Sequence, residues 1–267
     1  MGSKITKKIL FISALNSELK IVKEQVKKNN IFKNLEIDFL LCWMGNYNTI
    51  YNLTKFLEKN KIDFIVNIWV CGYKKDYEKL IQVWRIKNIS NNKELIIPNF
   101  INFSKISSLY CSEKIIFDKE NILEENFVDM ESFWVEFVSE KYNIPRIILK
   151  IPVDKIWEET KNFDFEKAKK FLSENIDYKK LLEEINNFLE KNIILENKNI
   201  EKFLKKLNFS ESQKIIFEKL YNKYEVLVWD NFEDFLKSYF KKFEDKKIEK
   251  KDLKNFLKYL EEFLEGK

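Results

Sequence analysis

Three short runs of branched and aromatic residues constrain the fold more than any other feature of the chain. They span 9–15 (ILFISAL), 37–44 (IDFLLCWM) and 64–71 (FIVNIWVC). Each is too short for a buried helix and nearly free of charge, the pattern of a strand covered on both faces. Between them, 16–28 places Leu19, Val22 and Val26 at helical spacing, and 47–59 reads as a second helix with Tyr51, Phe56 and Leu57 inward. Strand–helix–strand–helix–strand with short connections predicts parallel pairing through right-handed crossovers. The middle changes character: 80–86, 95–103 and 108–116 read as strands with no helix between them. A helix over 130–142, an apolar strand over 146–153 and two helical segments within 165–189 follow. The expectation is an α/β domain with a mixed, largely parallel central sheet flanked by helices. From 197 onward only helical spacing remains, at 200–207, 211–221, 232–243 and 251–264. The chain is therefore divided into an α/β domain, 1–192, and an all-helical C-terminal extension, 193–267, to which the sequence assigns no role.

Composition removes several chemistries. The chain has no histidine, which excludes Ser-His-Asp and Cys-His catalysis and most zinc sites. Its three cysteines, Cys42, Cys71 and Cys111, are far apart in apolar surroundings, and buried free thiols of a cytoplasmic protein fit them best. The net charge is +5, from 48 basic and 43 acidic residues interleaved along the chain. No basic patch emerges, which argues against a nucleic-acid partner. No apolar stretch reaches the 18 residues a membrane span needs, so no membrane is expected, and the first apolar run suits a buried strand better than a signal peptide. Neither a cofactor nor a metal is called for. Of four glycines, two are terminal, and Gly45 and Gly72 each follow a buried strand. The carboxyl ends of parallel strands are where such sheets hold ligands, and glycine lets a backbone approach closely there.

Five segments in order resemble the family of purine nucleoside phosphorylases and methylthioadenosine/S-adenosylhomocysteine nucleosidases, over about residues 8–192. The opening ILFISALNSEL (9–19) is similar to its first strand and acidic turn, and CWMGNYN (42–48) to its second strand and glycine-containing turn. VNIWVCG (66–72) falls where the family has a Gly-Ser/Thr-Ala/Cys-Gly-Gly segment. The strongest match is VDMES (128–132) with IPRIILKIPVD (144–154), after which FDF (163–165) leads into the closing helices. The chain departs from the pattern at Val70, where the family has a hydroxyl, at Trp69 and Tyr73 in place of glycines, and at Val153 in place of serine.

The resemblance implies a nucleoside phosphorylase-like fold and cleavage of an N-glycosidic bond. That reaction builds positive charge on the sugar and negative charge on the base, which two carboxyls in different protonation states suit. By the resemblance, Asp154 is the acid acting at the purine, Glu18 the base that activates water, and Glu131 the acceptor for ribose hydroxyls, with Met130 against the sugar. Gly72 and the backbone at Ile115 and Ile116 would line the substrate. Phosphate sites use hydroxyls and arginines. With Val70 in place of the hydroxyl and only Arg85 and Arg146 in the chain, hydrolysis is favoured over phosphorolysis. The implied function is a hydrolytic nucleosidase for an adenine-type purine nucleoside, working as a homodimer, with helices after Phe133 suited to a subunit interface. The alternative is a catalytically inactive nucleoside- or nucleotide-binding or regulatory protein of the same fold, acting through a protein partner at the C-terminal helices. Each carboxylate also has a plain structural reading: Asp154 as a helix N-cap, Glu18 and Glu131 as first-turn residues favoured by the helix dipole.

Overall fold

The computed structural model describes residues 6–75, 77, 79–115, 125–156 and 165–198, and beyond them 207, 209–210, 212–214, 216–217, 220–221, 224, 228, 232–241 and 249–265. The chain separates into two compact units, 1–189 and 190–267.

The first unit runs β1 (Lys7–Ser13), α1 (Asn16–Asn29), β2 (Leu35–Leu41), α2 (Asn46–Leu57), β3 (Phe64–Tyr73), β4 (Ile81–Asn88), β5 (Glu94–Ile96), β6 (Lys105–Cys111), β7 (Phe127–Asp129), α3 (Ser132–Lys141), β8 (Arg146–Lys155), α4 (Phe165–Glu174) and α5 (Tyr178–Lys198), within which the division falls. The eight strands form one mixed sheet. β1 pairs in parallel with β2 and β3, and β3 in parallel with β8. β8 also pairs antiparallel with β4, β4 with β6 and β6 with β7 in parallel, and β7 returns antiparallel to β3. The path β3–β7–β6–β4–β8–β3 therefore closes on itself as a five-stranded ring.

Side-chain alternation divides the core. Ile9, Phe11, Phe64, Val66 and Ile68 face one layer with Val22, Leu172 and Leu181; Leu10, Ile12, Ile65 and Trp69 face the other with Leu53, Val135 and Val138. Both faces of β1 and β3 are buried, which is why their sequences read as unbroken apolar runs.

Three expectations change. In α2 the buried residues Thr49, Leu53 and Leu57 lie at four-residue steps, so Tyr51 stands on the opposite face and is exposed. The strand expected over 95–103 is only the three residues of β5. Pro98 has no N–H for a ladder, and the Gln82 side chain meets the later backbone instead. Its Nε2 donates to the Ile101 carbonyl at 2.7 Å and its Oε1 accepts from the Phe103 N–H at 2.9 Å. The strand expected over 108–116 is β6, which begins earlier and stops at Cys111. β7, three residues long, carries too little periodicity to be read from sequence.

Among the described residues of the second unit, helices α6 (Phe232–Phe240) and α7 (Lys250–Glu265) are the longest elements. Their apolar stripes, Phe232 and Leu236 against Leu253, Phe256, Leu257 and Leu260, close on Phe217, Tyr221 and Tyr224 to form a largely aromatic core. The helix expected over 200–207 lies, apart from Leu207, outside the described residues.

Candidate active site

The carboxyl ends of β1, β3 and β8 lie at one end of the sheet because the three strands are parallel. The residues that follow them, with the β7–α3 junction, place four acidic side chains around that end. Glu18 sits in the first turn of α1, yet only 1% of it is exposed. Its carboxylate accepts the Leu15 N–H at 3.3 Å, and the Val70 backbone N–H also points to it. Burial lifts its pKa to about 7, against the pull of those amides and of Lys150. A first-turn carboxylate present only for the helix dipole would stand in water, so this burial goes beyond the plain structural reading.

Glu131 precedes α3 at its N-cap and is also buried. Its Oε1 accepts the Gly45 N–H at 2.9 Å. Gly45 has φ +92°, a left-handed conformation that side chains resist, and this is what turns its N–H toward the carboxylate. Desolvation first, then the neighbouring Asp129 and Glu18, raise Glu131 to about 7, while the Gly45 amide and Lys150 oppose them.

Asp129, at the end of β7, is the anchor of this junction. Its Oδ2 accepts the Ser132 backbone N–H at 3.1 Å, the Ser132 hydroxyl, and the Trp69 indole N–H at 3.3 Å. Lys150 Nζ lies 2.7 Å from the same oxygen and 4.1 Å from the centre of the Trp69 ring. Asp129 thus caps the first turn of α3. Neither Asp129 nor Lys150 stands out as a site residue in the sequence reading. The signal was a lysine inside the apolar strand 146–153, since a fully buried lysine requires a partner.

Asp154 is not a helix N-cap. It is the next-to-last residue of β8, half-buried and in register with Gly72, and it lies close enough to the Cys71 thiol to act on it electrostatically. At Gly72 an added Cβ would lie 3.0 Å from Ile156 Cγ1 and 3.3 Å from Val128 Cγ1, so a side chain there would crowd both and push them aside by a few tenths of an ångström. Met130 is half-buried beside Glu131, and Ile115 is exposed beyond the end of β6. Ile116 lies outside the described residues. Trp69 and Tyr73 are both buried on the α2–α3 side of β3, where Trp69 holds Lys150. All three thiols surround these acids and are kept protonated by burial. Among the described residues, no group of His, Cys, Asp and Glu is arranged to hold a metal.

No family model matches the sequence, and no curated protein sequence does. Solved structures do match. One is a 5′-methylthioadenosine/S-adenosylhomocysteine nucleosidase from Helicobacter pylori bound to butyl-thio-DADMe-Immucillin-A. It is 13% identical, with 70% of this chain and 99% of that one covered and a TM-score of 0.54. A futalosine hydrolase mutant from the same organism is 14% identical over 70% of this chain and 100% of its own, with a TM-score of 0.54. An MTAN variant from Chlamydia trachomatis bound to MTA is 18% identical, covering 64% and 96%, with a TM-score of 0.55. The fold is the nucleoside phosphorylase-like fold of these nucleosidases.

Proposed function

We propose that the protein is a hydrolytic nucleosidase that cleaves the N-glycosidic bond of a purine nucleoside of the adenine type. The observation that carries this reading is the pair Glu18 and Glu131: two buried carboxyls at the carboxyl end of the sheet, both poised near neutrality. A group with a pKa near the working pH exchanges protons with the smallest penalty, which suits Glu18 as the base that activates water. Glu131, already accepting a backbone N–H, is suited to accept ribose hydroxyls beside Met130. Asp154 is the acid for the departing base, and Gly72 with the backbone at Ile115 and Ile116 borders the substrate.

Water rather than phosphate is the favoured nucleophile. Both arginines of the chain are engaged elsewhere, Arg85 with Glu125 at 2.5 Å and Arg146 with Glu136, and Lys150 is held by Asp129. A phosphate would meet carboxylates where it needs cations. The enzyme is read as cytoplasmic and independent of metal or cofactor.

A homodimer is part of the reading. Helix α3 buries Phe133 but leaves Phe137 exposed, and Trp43, Met44, Tyr47 and Tyr51, close in sequence around Gly45, are exposed as well. Exposed large apolar side chains such as these suit an interface between copies. The helices of 193–267 are read as a separate extension available to a protein partner.

The test is base release from methylthioadenosine, S-adenosylhomocysteine, adenosine and inosine, with and without phosphate. Phosphate-independent release is expected, and Asp154→Asn is expected to lower it about a hundredfold or more with the fold intact. Wild-type turnover in that variant would remove Asp154 from the mechanism. No release from any nucleoside by the folded protein would leave the inactive binding protein as the reading.

A further inference from the structure

Three buried carboxyls, Glu18, Asp129 and Glu131, face one buried ammonium, Lys150. Three negative charges cannot coexist in a dry site beside a single positive one, so protons must make up part of the difference. Lys150 is not placed to touch a ligand. It is wholly enclosed, lies 2.7 Å from Asp129 and sits over the Trp69 ring. Trp69 in turn donates to Asp129, so lysine, indole and aspartate hold one another in place. Asp129 caps the turn that begins with Ser132, and Glu131 is the residue just before it. Any displacement of Asp129 is therefore passed to Glu131 through the peptide backbone.

We propose that Lys150 is a positioning residue of this site: through Asp129 it aims Glu131, and its charge sets how many protons Glu18 and Glu131 hold between them. The inference rests on the nucleosidase reading only for what those glutamates are used for. The groups facing the pair are Asp129 from β7, Lys150 from β8, and the thiols of Cys111 in β6 and Cys42 after β2, while Cys71 in β3 faces Lys150, Asp129 and Asp154. The thiols stay neutral through the range in which the glutamates titrate, which leaves Lys150 as the cation that lowers both. Glu18 also raises Glu131, though by less than Asp129 does.

The experiment follows the carboxyl carbons of glutamate by NMR in the full-length protein carrying 13C at the glutamate δ position. The two signals are assigned with Glu18→Gln and Glu131→Gln and titrated in wild type, Lys150→Met, Lys150→Arg and Trp69→Leu. Losing the cation raises a carboxyl pKa, so Lys150→Met is expected to move both midpoints upward by roughly 1–2 pH units. Lys150→Arg keeps the charge and is expected to stay within about half a unit of wild type. Trp69→Leu removes the indole from both Lys150 and Asp129 while keeping the lysine's charge, and is expected to shift the midpoints in the same direction by less. It serves as the second test if Lys150→Met does not fold. The pH profile of base release should move with the midpoints.

Unmoved midpoints in a folded Lys150→Met or Trp69→Leu protein overturn the proposal. So does an equal shift in Lys150→Arg, which would mean that packing rather than charge is responsible. A protein that cleaves no nucleoside yet shows the charge-dependent shift keeps this inference and loses the nucleosidase, so the two failures are distinguishable.

Discussion

Helix α3 carries one buried carboxylate in its body, Glu136, and another just before its first turn, Glu131, and the two are treated differently. Glu136 faces Arg146 at the start of β8, whose Nε donates to Oε2 at 2.7 Å while its second nitrogen reaches Oε1. One planar cation matches one planar anion, and the Arg146 guanidinium also lies over the Phe100 ring, 5.6 Å from its centre. At the N-terminal end Glu131 shares a single lysine with Asp129 and Glu18. Burial works against ionisation at both places, yet the first is closed by a dedicated partner and the second is left short of positive charge. Pairing on these terms serves the fold. An arrangement with fewer cations than carboxylates stores protonation states that chemistry can use, at a cost in stability.

The sharpest way to break this comparison is to take away the dedicated partner. Arg146→Met leaves Glu136 buried and alone and is expected to destabilise the first unit by about 3–5 kcal/mol, read from urea denaturation. Adding Glu136→Leu should recover most of that loss, because an apolar pair of similar volume is often neutral. A single variant with wild-type stability would mean the pair is not what closes that end.

The converse change at the site should stabilise. A carboxyl whose folded-state pKa lies above its unfolded value of about 4.5 binds more protons folded than unfolded. Stability therefore falls as pH rises from about 4.5 to about 7, and the loss is complete above that range. Glu18→Gln or Glu131→Gln removes this penalty. Each variant is expected to exceed wild type by up to about 2–3 kcal/mol at pH 8 and to gain nothing at pH 4. Denaturation midpoints at the two pH values check this, and variants less stable at pH 8 would refute the idea of stored protonation. The smallest effect is expected at the rim, where Lys8 reaches Glu36 and Asp38 at 2.9 and 3.1 Å. Lys8→Ala should cost under about 1 kcal/mol in the same assay, since exposed pairs contribute little.

Sequence made β1, β3 and β8 legible because strands buried on both faces leave long apolar runs. The same logic failed where backbone groups are satisfied by a side chain, as Gln82 does for 101–103, and where a strand has only three residues, as in β5 and β7. Helix α2 keeps Leu57 buried and Phe56 against the core as its spacing predicts, whereas Tyr51, apolar by type, faces outward because Thr49, Leu53 and Leu57 fix the buried face. Motif order points to Glu18 and Glu131, which the structure buries at the same end of the sheet. Asp129 lay inside the same motif, but its importance comes from Lys150 and Trp69, which are 21 residues after it and 60 before it in the chain. Convergence of that kind belongs to strand register and is invisible to local spacing. Gly45 follows a strand in the sequence, while its bond to Glu131 depends on a φ of +92° that local spacing does not encode.

The ring closure of the sheet governs how the molecule meets copies of itself at high concentration. Because β3, β7, β6, β4 and β8 return to their starting point, each of those strands has a neighbour on both sides, over two residue pairs at β4–β8 and at β3–β7, and among the described strands only β2 and β5 have a neighbour on one side alone. β5 offers three residues, too few for another chain to zip onto. β2 displays Glu36 and Asp38 gathered by Lys8, and a strand adding there would have to strip water from those charges. Amyloid-like growth by strand addition is therefore obstructed at both openings, and association should proceed through side-chain surfaces, leaving the sheet and the acids it carries undisturbed.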